Sequence, residues 1–263
     1  MPERLDVALA ARGLARSRTH AATLIAGGLV TVDGRPVVRA STKVGDDQEL
    51  AVAGADHYVS RGAHKLIAAL DTFRVAVEGR TALDAGASTG GFSQVLLERG
   101  ARLVLAVDVG HGQLAPELAL EERLFSYEGV NVRELTRESF GRLVGPDLRP
   151  ELVVADLSFI SLTQVLPALR DLAAPGADFV LLVKPQFEVG RGGIREGIVR
   201  DAGLRADAVG GVLWSAWDLG LGTAGAIASP IAGSHGNQEA LVHLSERGSN
   251  PTRWLETVRD ITA

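Results

Sequence analysis

Cysteine is absent from the 263 residues. Disulfide scaffolds, zinc ribbons, iron–sulfur clusters and cysteine nucleophiles are thereby excluded, and a reducing, cytoplasmic setting is expected. Long apolar runs are missing as well. The clean stretch Phe179-Val180-Leu181-Leu182-Val183 falls far below the roughly 20 residues of a membrane span, so no membrane partner is expected. The start, Met1-Pro2-Glu3-Arg4-Leu5-Asp6, lacks the basic flank and apolar block of a signal peptide. The 31 glycines keep no period, and no repeat or low-complexity tract occurs, which excludes fibrous classes and disorder. The six histidines show no ligand spacing with carboxylates, so no metal is expected.

What is present is an ordinary apolar fraction of 46% with 22% charged residues, enough for one medium domain and a small one. Net charge is −5, but it is unevenly spread: residues 1–45 hold seven basic and three acidic side chains, the remainder 20 and 29. A basic N-terminal unit joined to an acidic one either meets a polyanion or merely carries a solvated basic face. Leu5, Ala8 and Leu9 have helical spacing, and a second helix runs through Ala21, Leu24 and Ile25, with Ser17 or Thr19 as its cap. Residues 29–32 read as a strand, Asp33-Gly34 as a hairpin turn and residues 35–38 as the return. Arg16 and Arg18 then lie at an exposed helix start and Arg35 beside the turn, a surface able to hold phosphates.

This stretch resembles the small RNA-binding domain of ribosomal protein S-four, through Arg4-Leu5-Asp6, Ala15-Arg16-Ser17-Arg18, Ile25-Ala26-Gly27-Gly28-Leu29-Val30, Val32-Asp33-Gly34 and Lys43-Val44. The resemblance implies structured RNA as partner, held by Arg4, Arg16, Ser17, Arg18, Arg35 and Lys43. A linker is placed at residues 53–61, dividing an RNA-binding domain at 1–60 from a second domain at 61–263.

In the second part, residues 63–73 form an expected helix with Leu66, Ile67, Leu70 and Phe73 on its buried stripe and Lys65 at the flank. Strands are expected at 81–84, 103–108, 151–156, 178–184, 224–229 and 240–245, alternating with helical patterns. The fold class is therefore α/β: a doubly wound, mostly parallel sheet with ligands at the carboxyl ends of its strands. The loop Asp84-Ala85-Gly86-Ala87-Ser88-Thr89-Gly90-Gly91-Phe92 fits neither G-x-G-x-x-G nor the phosphate-binding G-x-x-x-x-G-K-[ST]. It resembles the S-adenosylmethionine loop of class I methyltransferases, in which Gly86, Ala87, Ser88, Gly90, Gly91 and Phe92 let the backbone approach the cofactor. Asp84 would anchor either the loop or the ammonium group. Asp108, ending the next strand, would accept from ribose hydroxyls, as an acid in a dinucleotide site would also do.

Further motifs follow in order: Ser60-Arg61-Gly62-Ala63-His64-Lys65-Leu66, residues 156–162, Val183-Lys184-Pro185-Gln186-Phe187-Glu188, Ser229-Pro230-Ile231 and Gly236-Asn237-Gln238-Glu239. Over nearly the whole chain they are similar to the haemolysin-A-like (TlyA) ribosomal RNA 2′-O-methyltransferases. The resemblance implies a catalytic tetrad of Lys65, Asp156, Lys184 and Glu239. It also implies S-adenosylmethionine as cofactor, and cytidines of small- and large-subunit rRNA as substrate, with consequences for ribosome-targeting antibiotics. A monomer is expected. Lys184 is the candidate base, with Lys65 nearby and the carboxylates orienting both ammonium groups. Two departures stand out: the linker Asp56-His57-Tyr58-Val59, where the family carries a basic-plus-tryptophan motif, and residues 190–201, read as a mobile basic loop near the substrate. A noncatalytic ribosome-assembly factor and a cytolysin are the competing classes. The four tetrad residue types argue against the first. The lack of a cationic amphipathic helix argues against the second.

Overall fold

Alternation of buried side chains decides the architecture. In the computed structural model, which describes residues 3–15, 17–52 and 57–263, the chain divides into two units, Met1–His57 and Tyr58–Ala263.

The first unit opens with β1 (Glu3–Arg4), α1 (Leu5–Ala11) and α2 (Arg18–Ala26). Ser17 caps α2 by accepting from the His20 amide at 3.2 Å. The strands β2 (Val30–Val32), β3 (Arg35–Pro36), β4 (Lys43–Val44) and β5 (Leu50–Val52) follow. They form an antiparallel sheet in the order β3-β2-β5 and a separate β1–β4 pair. Asp33 and Gly34 both have positive φ, 50° and 75°, which is the backbone twist a two-residue hairpin needs. Leu5, Leu9, Ile25, Val30 and Val44 fill this unit's own core.

The second unit begins with α3 (Gly62–Phe73), β6 (Thr81–Ala85), α4 (Gly91–Glu98), β7 (Leu103–Val107) and β8 (Leu124–Tyr127). It continues through α5 (Arg137–Val144), β9 (Leu152–Ala155), α6 (Leu162–Leu172), β10 (Asp178–Val183) and the short α7 (Pro185–Glu188). It ends with α8 (Ala202–Asp218), β11 (Gly222–Ala228), β12 (Ala240–Ser245) and α9 (Leu255–Thr262). Seven strands lie in the order β11-β12-β10-β9-β6-β7-β8. β12 runs antiparallel to both neighbours, and the pairs from β10 across to β8 are parallel.

Successive strand residues serve opposite faces. Leu83, Ala85, Val153, Ala155 and Leu181 pack toward α6 and α8. Ala82, Leu152, Val154 and Val180 pack toward α3 and α4. Both faces are covered, so the strands read as near-continuous apolar runs. After β6 the chain winds outward to β8, then returns to place β9 on β6's other side. That reversal leaves a crevice at the carboxyl ends of β6 and β9, where ligands of such sheets bind.

Candidate active site

Four strand ends meet at this crevice: the 86–91 loop after β6, Asp108 after β7, Asp156 after β9 and Lys184 after β10. Lys184 is the N-cap of α7 rather than a strand residue, and Pro185 stops the ladder there. The Val183–Ala240 register of β10 and β12 brings Glu239 to the same end, and α3 carries Lys65 in from above the sheet. All four tetrad residues line one cavity of about 260 Å³.

Their pairing is specific. Lys65 Nζ stands 2.6 Å from Glu239 Oε2, and Lys184 Nζ 2.6 Å from Asp156 Oδ1. Lys184 also donates to Ser158 Oγ at 2.9 Å. Lys65 is only 8% exposed and Glu239 5%, so Lys65 belongs to the buried side of α3 and not to its flank. Helical spacing alone puts Lys65 at the edge of the apolar stripe, and the tertiary fold draws it inward onto Glu239. Each cation holds one carboxylate, and the quartet is neutral as a set.

Ala87, Ser88, Thr89, Gly91 and Phe92 form the opposite wall. The glycines there serve the protein's own packing. Gly86 has φ +82°, and a Cβ would lie 2.8 Å from the Asp156 carbonyl oxygen, so the loop passes directly beneath the end of β9. Gly90 is the N-cap of α4, and a Cβ on Gly91 would collide with Ser60 Oγ. With the Cβ directions spent on these contacts, the remainder of the loop is open to the cavity.

Asp84 is fully enclosed. Its Oδ2 accepts from Ser93 Oγ at 2.7 Å, tying β6 to α4, while Oδ1 has no partner among the described residues. Burial pushes the carboxyl up to about 7, against the hydrogen bond from Ser93 and with the neighbouring Asp156 charge adding to the rise. Asp108 holds the loop from the other side: Oδ2 accepts from the Ser88 amide at 2.8 Å and Oδ1 from the Gly110 amide at 2.7 Å. Asp108 thus stands beside the cavity as the anchor of Ser88, whose φ is +48°.

Residues outside the sequence-derived set complete the site. Ser60, Arg61 and Gly62 line the cavity, next to the buried Val59, whose amide donates to Gln94 Oε1 at 2.9 Å. Of the unusual linker, Asp56 lies outside the described residues, and Tyr58 meets His64 edge-on at 5.5 Å. A second cavity of about 320 Å³ shares Lys184 and Glu239 and is lined by Phe159 and Phe187. Phe159 is 91% exposed with φ +64°, and its ring lies 5.2 Å from that of Phe187. The 190–201 segment is anchored, not free: Asn237 donates to Gly197 O at 2.8 Å and accepts from the Val199 amide at 3.2 Å.

In the N-terminal unit, Arg4 binds Asp6 with two bonds of 2.9 and 3.1 Å, and Arg18 reaches the same carboxylate at 3.4 Å. Arg4 beside it holds the Asp6 carboxyl below its ordinary range. Lys43 sits opposite Arg4 in the β1–β4 register. Arg4 and Arg18 therefore share one acidic residue and Lys43 lies across the strand pair from Arg4, while the exposed Arg35 lies on the other sheet. Arg16 lies outside the described residues. Among the described residues no histidine, aspartate and glutamate group could hold a metal ion, and no helix is long and apolar enough to cross a membrane.

A seven-stranded sheet with one reversed strand, a small-residue loop after its central strand and an acid ending the next defines a class I methyltransferase fold. The family model for FtsJ-like methyltransferase matches residues 58–246, and the S4 domain model matches residues 3–50. The chain belongs to the FtsJ-like methyltransferase family. It is 51% identical over 244 residues to the 16S/23S rRNA (cytidine-2′-O)-methyltransferase TlyA of Mycobacterium tuberculosis, covering 92% of this chain and 89% of that protein. It is 37% identical over 242 residues to Hemolysin A of Brachyspira hyodysenteriae, covering 92% and 99%. A solved structure of a Streptococcus thermophilus protein described as a hemolysin superposes with TM-score 0.75 at 38% identity, covering 99% of this chain and 94% of that one.

Proposed function

We propose that this protein transfers a methyl group from S-adenosylmethionine to the 2′-hydroxyl of a cytidine in ribosomal RNA, in the cytoplasm. The observation that carries the reading is the convergence of Lys65, Asp156, Lys184 and Glu239 on one cavity facing the 86–91 loop. The name and identity of the Mycobacterium tuberculosis relative support rRNA cytidine as substrate. The S4 domain model that matches residues 3–50 supports RNA capture by the N-terminal part.

The residues present fit the cofactor. The open wall at Ala87–Ser88–Thr89 takes its amino-acid end, and Asp84, at the foot of that loop, keeps a buried Oδ1 without a partner among the described residues. Asp108, already fixed by two amides, keeps lone pairs for ribose hydroxyls. When bound, S-adenosylmethionine supplies a methyl group activated by its sulfonium charge.

The protein's own part is alignment and proton removal. Lys184 first releases its ammonium proton to solvent; its amine then accepts the 2′-hydroxyl proton at Nζ, regenerating the ammonium that Asp156 and Ser158 hold. Lys65, fixed by Glu239, presents its ammonium to the ribose oxygen as negative charge builds there. The target base enters the adjoining cavity against Phe159, whose exposed ring offers a stacking face. Incubation with tritiated S-adenosylmethionine and ribosomal subunits, followed by alkaline hydrolysis, tests this directly. Label in alkali-resistant dinucleotides at a cytidine supports it; no transfer, or label on a base, contradicts it.

A further inference from the structure

The cavity wall carries five charged side chains: the tetrad and Arg61. Four of them cancel as two pairs at 2.6 Å. Arg61 is the exception. It is exposed, and among the described residues it makes no ion pair and no side-chain hydrogen bond. It is the N-cap residue of α3, four positions before Lys65, so the two side chains leave one helix face about a turn apart.

Ribose chemistry gives this arrangement a use. The 2′-oxygen and the phosphate-bearing 3′-oxygen sit on neighbouring ring carbons, so the hydroxyl cannot reach Lys184 without bringing a phosphodiester anion beside the tetrad. There the anion would face Asp156 and Glu239 with both lysines already committed. A guanidinium offers two parallel donors to the two non-bridging oxygens, and its charge is permanent.

We infer that Arg61 receives the 3′-phosphodiester of the nucleotide being methylated, acting as a substrate-positioning residue one helical turn above Lys65. The inference rests on the ribose-methylation reading. It also accounts for a cation at the mouth of the site that no group among the described residues neutralises.

The test uses the full chain, unmodified ribosomal subunits and the variants Arg61→Gln and Arg61→Lys. Loss of a charge-assisted contact of this kind is expected to lower kcat/KM for Arg61→Gln by about ten- to a hundredfold. The slope of log kcat/KM against log salt should become shallower by about one. Arg61→Lys should keep the parental slope and recover part of the rate, and calorimetric S-adenosylmethionine affinity should be unchanged in both. A parent that methylates subunits while Arg61→Gln matches it in rate and slope overturns this inference alone. A fall in cofactor affinity for Arg61→Gln would put the side chain on the cofactor's carboxylate and overturn it too. A parent that methylates no subunit removes the ribose-methylation reading, and this inference with it.

Discussion

Lys65 and Glu239 lie 174 positions apart in the chain, and their charged groups stand 2.6 Å apart in a buried ion pair. The contact joins α3 to the start of β12 and places an ammonium in the cavity that Lys184 also lines. Such a pair is costly to desolvate, and its value is in geometry more than in stability.

Breaking it on one side should therefore be worse than removing it whole. Lys65→Met or Glu239→Gln leaves an uncompensated buried charge and should destabilise the fold by about 3–5 kcal/mol. The double variant Lys65→Met, Glu239→Gln should recover much of that loss while remaining inactive. Denaturant unfolding of the three chains measures it. Additive losses in the double variant would show that the two side chains do not interact.

The contact between Ser60 and Gly91 predicts a suppressor. Gly91→Ala forces Ser60 Oγ out of its position against the loop and should weaken S-adenosylmethionine binding. Adding Ser60→Gly should restore it. Calorimetry on the single and double variants decides; an unrescued double variant would mean that Gly91 serves the cofactor directly.

Asp84 gives the stability a pH dependence of known sign. Its carboxyl is raised from 3.8 to about 7 in the folded chain, so the folded state holds a proton that the unfolded state releases. That contribution is complete below about pH 4 and disappears as pH rises through about 7. Asp84→Asn, which cannot ionise, should therefore gain on the parent between pH 5 and pH 8. Unfolding free energies at the two pH values test it, and a gain on going the other way would contradict the burial argument.

The exposed ring of Phe159 should matter to the target nucleotide and to little else. Phe159→Ala should reduce single-turnover methylation by the worth of one base stack, about 1–3 kcal/mol. Thermal stability should hold, since the side chain is 91% exposed. An unchanged rate would remove Phe159 from substrate contact.

Much of this site was readable in the chain because buried parallel strands announce themselves as apolar runs. Their ends then locate Asp84, Asp108, Asp156 and Lys184 by simple counting. The Asp33-Gly34 turn was equally legible, since its two positive φ values suit Asp and Gly. Strand β8 was not: it is an edge strand whose Phe125 and Ser126 are exposed, so its four residues lack a clear period. The burial of Lys65 depends on a partner that only tertiary register supplies. The sharing of Asp6 by Arg4 and Arg18 is hidden from charge counting for the same reason. Positive φ at a phenylalanine carries no compositional mark at all.

The central claim is that Lys184 removes the hydroxyl proton, and single-turnover methyl transfer on saturating ribosomal subunits tests it most directly, because chemistry is then separated from binding. Lys184→Ala should bind cofactor and subunits as the parent does and lose about 10²–10⁴-fold in rate. Lys184→Arg should fail as badly, because a guanidinium stays protonated and has a different shape. A Lys184→Arg chain that turns over within a few-fold of the parent would contradict the account and leave Lys184 an electrostatic group, with the proton departing through water.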